Sequence, residues 1–232
     1  AKNTTIKYSK ENVSNYFLGI ISVNQDHNRE AFKFLKRVKS LKDTHDQFNI
    51  EFVKTLVLLE KFDEAFAFSK SVWTDDEYFF EIDLLLGLNS FINKDYKTAE
   101  KYFMRLNNLS RRNLIFENFI ANTLMAWTKA SKNEKDDGLK FFENIPGQYR
   151  ELIKIQSIFL KCYFDSDEVQ TSYEELIADK DYDFSRHNFF LANYLLFKNN
   201  ALEAGNIIEK SRQLNNSNLL IKQTESFILN NQ

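Results

Sequence analysis

"DHNREAF" (Asp26–Phe32), "EKFDEAF" (Glu60–Phe66) and "NKDYKTAEKYF" (Asn93–Phe103) are near-copies, each running a polar turn into an alanine and then into aromatics. The alanines Ala31, Ala65 and Ala99 stand 34 residues apart. A second marker keeps the beat: Leu18-Gly19 and Leu86-Gly87 are 68 apart, twice 34, with Val53 at the midpoint. Two markers in one register define a repeat array of fixed period.

The repeat unit is helical. Among 232 residues there are 5 Gly and 1 Pro, too few breakers to punctuate strands and hairpins. Each period holds two amphipathic patterns. In the second period, Phe48, Phe52, Thr55, Leu56 and Leu59 share one helix face. After the turn at Glu60-Lys61, the positions Phe62, Ala65, Ser69, Val72 and Trp73 mark a second helix. Neither stripe can be buried alone, but stacking on neighbours buries both. Gly19 and Gly87 fall in mid-helix, where Gly costs about 1 kcal/mol against Ala. Such a position implies the close approach of another backbone, with Ala31, Ala65 and Ala99 serving the partner helix.

On these residues the chain resembles a tetratricopeptide repeat (TPR) protein. The third repeat, "LLLGLNSFINKDYKTAEKYFMRL", carries Leu86-Gly87, Tyr96, Ala99 and Phe103 in the family's order. The first repeat has Asn28 in place of the turn aromatic, the second lacks the Gly, and the closing proline is missing from all three. A fourth repeat has Ala126 and Gly138 as its small pair and Phe142 as its anchor; its small residue comes 39 after Ala99, so its first helix or turn is longer. A fifth is weak (Ser157, Val169, Tyr173) and a sixth has Ala192 and Ala204. The resemblance implies an all-α, right-handed superhelical solenoid of helix-turn-helix repeats. The expected divisions are a polar lead-in at 1–11, repeats at 12–45, 46–79, 80–113, 114–149, 150–184 and 185–218, and a last helix within 219–232. One hydrophobic layer is expected to run through Leu18, Phe52, Leu86, Ala126 and Ala192. Phe227, Ile228 and Leu229 at the far end are expected to be partly exposed or covered by a neighbour. The stretches "YFLGIISVNQDHNREAFKFL", "NTLMAWTKA" and "DGLKFFENI" are also similar to longer alphaproteobacterial TPR proteins without assigned activity. That likeness implies the N-terminal part of a larger protein, in the bacterial cytoplasm or periplasm.

Several functions are disfavoured by the residues. A net charge of −2, with acids and bases interspersed, gives no electrostatic footprint for nucleic acid. The apolar run "TLVLL" (Thr55–Leu59) falls far short of the roughly 18 residues of a membrane span. The opening "AKNTTIKYSK" lacks the apolar centre of a signal peptide. Lone Cys162 excludes an internal disulfide and reads as a small buried hydrophobe. No phosphate loop, G-x-S-x-G or H-E-x-x-H can be written, so no enzyme and no cofactor are expected. "DTHDQ" (His45 between Asp43 and Asp46) reads as helix capping rather than a metal site. "DSDE" (Asp165–Glu168) and "WTDDEYF" (Trp73–Phe79) read as acidic helix starts.

What remains is binding. In TPR proteins the first helix of each repeat lines a concave face that takes peptides. By repeat register that face comprises Tyr16, Ile20, Ile50, Lys54, Leu58, Leu84, Leu88, Phe91, Trp127, Lys161, Phe189 and Asn193. It is apolar, and about half of it is expected to pack on neighbouring helices. Tyr16 and Ile20 stand where carboxylate-gripping members carry Lys, Arg and Asn, which disfavours that specificity. The expected function is a protein-interaction scaffold for an apolar or amphipathic partner segment, centred on Leu88, Phe91 and Trp127. The alternative is a structural array that self-associates or orients a downstream domain. Arg111-Arg112, at a repeat boundary, is a second candidate contact.

Overall fold

A computed structural model describes residues 9–109, 115–178, 185–214 and 217–230. Thirteen α-helices and no strand occur among them. The chain divides into two compact units, residues 1–132 and 133–232.

The first unit contains α1 (Lys10–Asn24), α2 (Asn28–Leu35), α3 (Asp46–Leu58), α4 (Phe62–Val72), α5 (Phe80–Ile92), α6 (Tyr96–Leu109) and α7 (Ile115–Ser131). A 3-10 segment, Lys36–Asp43, extends α2. Each helix packs on the next, and the odd-numbered helices also touch in the series α1, α3, α5. The core centres on phenylalanines. Phe52 lies 4.8 Å from Phe68 edge-on and stacks at 5.5 Å on Phe48.

The second unit contains α8 (Lys135–Glu143), a 3-10 turn at Gly147–Tyr149, α9 (Arg150–Tyr163), α10 (Val169–Ala178), α11 (Ser185–Phe197), α12 (Ala201–Leu214) and α13 (Leu219–Asn230). Its core is aliphatic, built on Ile155, Ile158, Leu176, Leu191, Leu195 and Ile208.

One turn joins every helix pair. Asp26, Glu60, Lys94, Asn133, Asp165 and Asn199 all adopt left-handed backbone, with φ between 47° and 66°. At five of them the two hydrogen bonds of a Schellman cap are present. At Glu60, for example, Glu60 N–H donates to Val57 O and Lys61 N–H to Leu56 O, both at 2.9 Å. The small residues expected on the second helices, Ala31, Ala65, Ala99, Gly138 and Ala204, each fall five positions after such a turn and are buried. The long fourth period has a structural origin: α7 spans 17 residues where α3 and α5 span 13.

Three expectations need correction. Leu18 is 42% exposed and stands outside the core, although Phe52, Leu86, Ala126 and Ala192 are buried. No helix precedes α1 among the described residues, and its Val13, Phe17, Leu18 and Ile21 face outward. Phe62 is also exposed, because it opens α4 before the helix turns inward. Gly87 is compressed by a side chain rather than by a backbone, and Gly19 by the Leu35 side chain, with the Leu35 backbone nitrogen 3.5 Å from where its Cβ would stand. A Cβ at Gly87 would lie 2.4 Å from the Phe103 ring, and one at Gly19 would lie 2.5 Å from Leu35.

Candidate interaction face

The first helices of the repeats carry the expected face, and none of the residues placed on it is fully buried. In the first unit, Tyr16, Ile20 and Ile50 pack half-buried against the phenylalanine core. Tyr16 also meets the His45 ring at 4.7 Å. Lys54 is half-exposed and bridges helices, 3.4 Å from Glu51 on α3 and 3.6 Å from Glu81 on α5. Its charge therefore serves the α3–α5 contact. Leu58 is 61% exposed at the end of α3. Leu84, Leu88 and Phe91 on α5 and Trp127 on α7 are half-buried, and Phe91 meets Tyr96 edge-on at 5.6 Å.

In the second unit, Lys161 donates to Ser172 Oγ at 3.1 Å and pairs with Glu168 at 2.8 Å, so it too is engaged within its own hairpin. Phe189 lies 5.7 Å from Phe190, and the exposed Asn193 amide donates to the Phe189 carbonyl at 2.8 Å. Sequence register missed the more concave part of this face. A cavity of about 600 Å³ is lined by Leu152, Gln156 and Phe159 of α9, His187 and Phe190 of α11, and Leu220 of α13. All three are first helices. The repeat register loosens after Phe103: it places Lys161 on α9 and Phe189 on α11, but not the neighbouring residues that line this cavity.

The polar motifs have structural employment. His45 Nδ1 accepts from Phe48 N–H at 3.3 Å and caps α3. Asp165 sits at the left-handed turn after α9 and pairs with Lys198. Cys162 is half-buried, and burial pushes its thiol up, away from the reactive thiolate. "WTDDEYF" is not a helix start: Trp73–Phe79 is a loop between α4 and α5, held by a side chain that the motif does not contain. Arg105 of α6 reaches into it. Its Nε donates to Asp83 Oδ1 at 2.8 Å, Nη1 to the Asp75 carbonyl at 2.8 Å, and Nη2 to the carbonyls of Thr74, at 2.9 Å, and Glu77. The guanidinium lies 4.7 Å from the Trp73 ring and 4.5 Å from Tyr78. Trp73 Nε1 also donates to Asp83 Oδ1 at 2.8 Å. Burial pushes the Asp83 carboxyl up, and the Trp73 and Arg105 hydrogen bonds oppose that shift. Arg111 and Arg112 lie outside the described residues.

No group of three or more His, Cys, Asp or Glu that could hold a metal ion occurs among the described residues. No helix among them is long and apolar enough to cross a membrane.

No family model and no curated protein matches the chain. Solved structures do. A tetratricopeptide repeat protein from Parabacteroides merdae ATCC 43184 superposes with a TM-score of 0.58 at 12% identity, covering 94% of this chain and 84% of that one. A chain of the APC/C hetero-tetramer Cut9-Hcn1 gives 0.54 at 11% identity, over 94% of this chain and 42% of that one. At such identities the likeness is one of fold. The chain is a TPR-like, all-α helical repeat protein.

Proposed function

We propose that this chain is a protein-interaction scaffold that takes an apolar or amphipathic segment of a partner against the first helices of its repeats. The observation that carries the reading is that these helices keep apolar side chains short of full burial. Leu84, Leu88 and Phe91 on α5 and Trp127 on α7 are half-buried, and a 600 Å³ cavity opens on α9, α11 and α13. A partly exposed Trp is the residue type most enriched at interface hot spots. That the similar Cut9-Hcn1 chain belongs to a hetero-tetramer supports the reading.

The test is a double substitution, Phe91→Ala with Trp127→Ala. Capture of partners by the immobilised chain should fall while helicity by circular dichroism holds. If both side chains serve the core, the double change costs several kcal/mol and the melting temperature drops sharply. Unchanged capture would move the site elsewhere.

A second reading, a self-associating structural array, draws on a separate observation. α1 exposes Val13 (41%), Phe17 (59%) and Ile21 (50%), spaced four residues apart on one stripe. Light scattering decides this point: a stable oligomer abolished by Phe17→Ser favours the array.

A further inference from the structure

The first repeat carries a face that the groove reading does not use. Between Asn28 and Asp43 the chain places Arg29, Lys33, Lys36, Arg37, Lys39 and Lys42 against only Glu30 and Asp43, a local charge of +4 in a chain whose total is −2. None of these six cations pairs with a carboxylate among the described residues, whereas Lys54, Lys101, Lys129 and Lys161 each do. All but Lys42 are exposed.

They are also held in place. Lys36 and Lys61 flank the Phe32 ring at 5.3 and 5.1 Å, and Lys39 lies 5.2 Å from the Phe52 ring. The 3-10 segment Lys36–Asp43 forms one wall of an open groove of about 480 Å³, whose other wall is α4. Lys39, Ser40 and Lys42 stand on the first wall, and Ala67, Phe68 and Ser71 on the second. The rim is cationic and the floor is partly apolar. Glu64, which also lines the groove, is held below the ordinary range chiefly by its hydrogen bond from Lys61, with Lys36 and Lys39 adding smaller pulls.

We infer that this groove is a second docking site, on the second-helix side of the first repeat, for a short acidic segment of a partner protein with an apolar residue to seat on Ala67. Charge complementarity selects the sign of the occupant. The lining selects its kind: Ala67 stands exposed beside Lys39 and Lys42, so the occupant brings an apolar side chain along with its carboxylates, which a phosphate backbone or an anionic bilayer surface does not.

A labelled short peptide alternating Glu with Phe, titrated into the full chain by fluorescence anisotropy, tests this. Binding should saturate at low salt and weaken as salt shortens the range of the field. Lys39→Glu with Lys42→Glu should lower affinity at least about tenfold, since the two cations that line the groove are reversed. Ala67→Trp should lower it too by filling the groove, and a peptide with Lys for Glu should not bind. Phe91→Ala with Trp127→Ala should leave it unchanged, which separates this site from the groove proposed above. Should the charge reversals disturb helicity, Lys39→Gln with Lys42→Gln replaces them. Absent binding at low salt, affinity indifferent to these substitutions, or tighter binding to phosphatidylserine vesicles or duplex DNA would each overturn the inference.

Discussion

Gly87 shows how one residue fixes the spacing of two helices. The Phe103 ring occupies the place of its missing Cβ, and Phe103 is itself fully buried and has no room to retreat. The first repeat repeats the arrangement with Gly19 and Leu35, again 16 positions apart. The second repeat inverts it. Val53 stands in the glycine's register, and 16 positions on stands Ser69; both are buried. Bulk thus passes from one helix to the other while the summed volume holds, as interior packing density demands. Gly87→Val should therefore destabilise the protein by about 1–3 kcal/mol through overpacking. Adding Phe103→Ser, which recreates the Val53 and Ser69 pairing, should recover part of that loss. Denaturant unfolding of the two single variants and the double variant gives the coupling directly. Strict additivity would show that the small residues do not set the helix approach. The period exposed these positions to sequence reading, but the contacting group was misjudged. A Gly in mid-helix reports a close neighbour without saying whether that neighbour is backbone or ring.

The α4–α5 connection is where sequence reading failed for a definable reason. Asp83 and Arg105 lie 22 residues apart, on α5 and α6, and each looks like a solvated charge on an amphipathic helix. No periodic rule predicts that both turn inward to organise a loop. Helix pairs and turns were legible because they recur; a buried ion pair that occurs once has no period to betray it. Its energetics are lopsided. Asp83 is fully buried, and its Oδ2 has no hydrogen-bond partner, so its charge leans on Oδ1, which takes Arg105 and Trp73. Arg105→Ala should cost about 3–5 kcal/mol by stranding that carboxylate. Replacing both partners with apolar groups, Asp83→Leu with Arg105→Met, should cost less than Arg105→Ala alone. In both variants the amides of residues 74–78 should lose exchange protection, because Arg105 holds the carbonyls of Thr74, Asp75 and Glu77. A double variant weaker than the single one would mean that Arg105 acts chiefly through the loop and not through Asp83.

Across the molecule, contacts run mainly between helices adjacent in sequence or one apart. Stability in such an array is close to a sum of local terms, so it should vary along each unit rather than be shared evenly. In the first unit most of the largest fully buried side chains, Phe48, Phe52, Leu56, Ile82, Leu86, Phe103 and Leu106, lie on α3, α5 and α6, with Leu35 on α2 and Met125 on α7. α1 contributes few such anchors and leaves Phe17 59% exposed. In the second unit α11 and α12 bury Leu191, Leu195 and Ile208, whereas α13 buries Ile221 and Ile228 but leaves Leu219 and Phe227 exposed at 68% and 59%. This bears out the expected exposure for Phe227 and corrects it for Ile228; the Leu229 side chain lies outside the described residues. Amide exchange should accordingly be slowest in α3, α5 and α6 of the first unit and in α11 and α12 of the second. α1 and α13 should exchange at least about tenfold faster than the interior of their own units, the behaviour of marginal elements in a locally stabilised chain. Exchange mass spectrometry on dilute protein measures this, and repeating it at high concentration adds a control. Terminal helices that become protected only when concentrated would mark their apolar faces as the contact between copies. Terminal helices protected equally at every concentration would refute the local picture, since the exposed side chains of α1 and α13 supply too little burial to hold them by themselves.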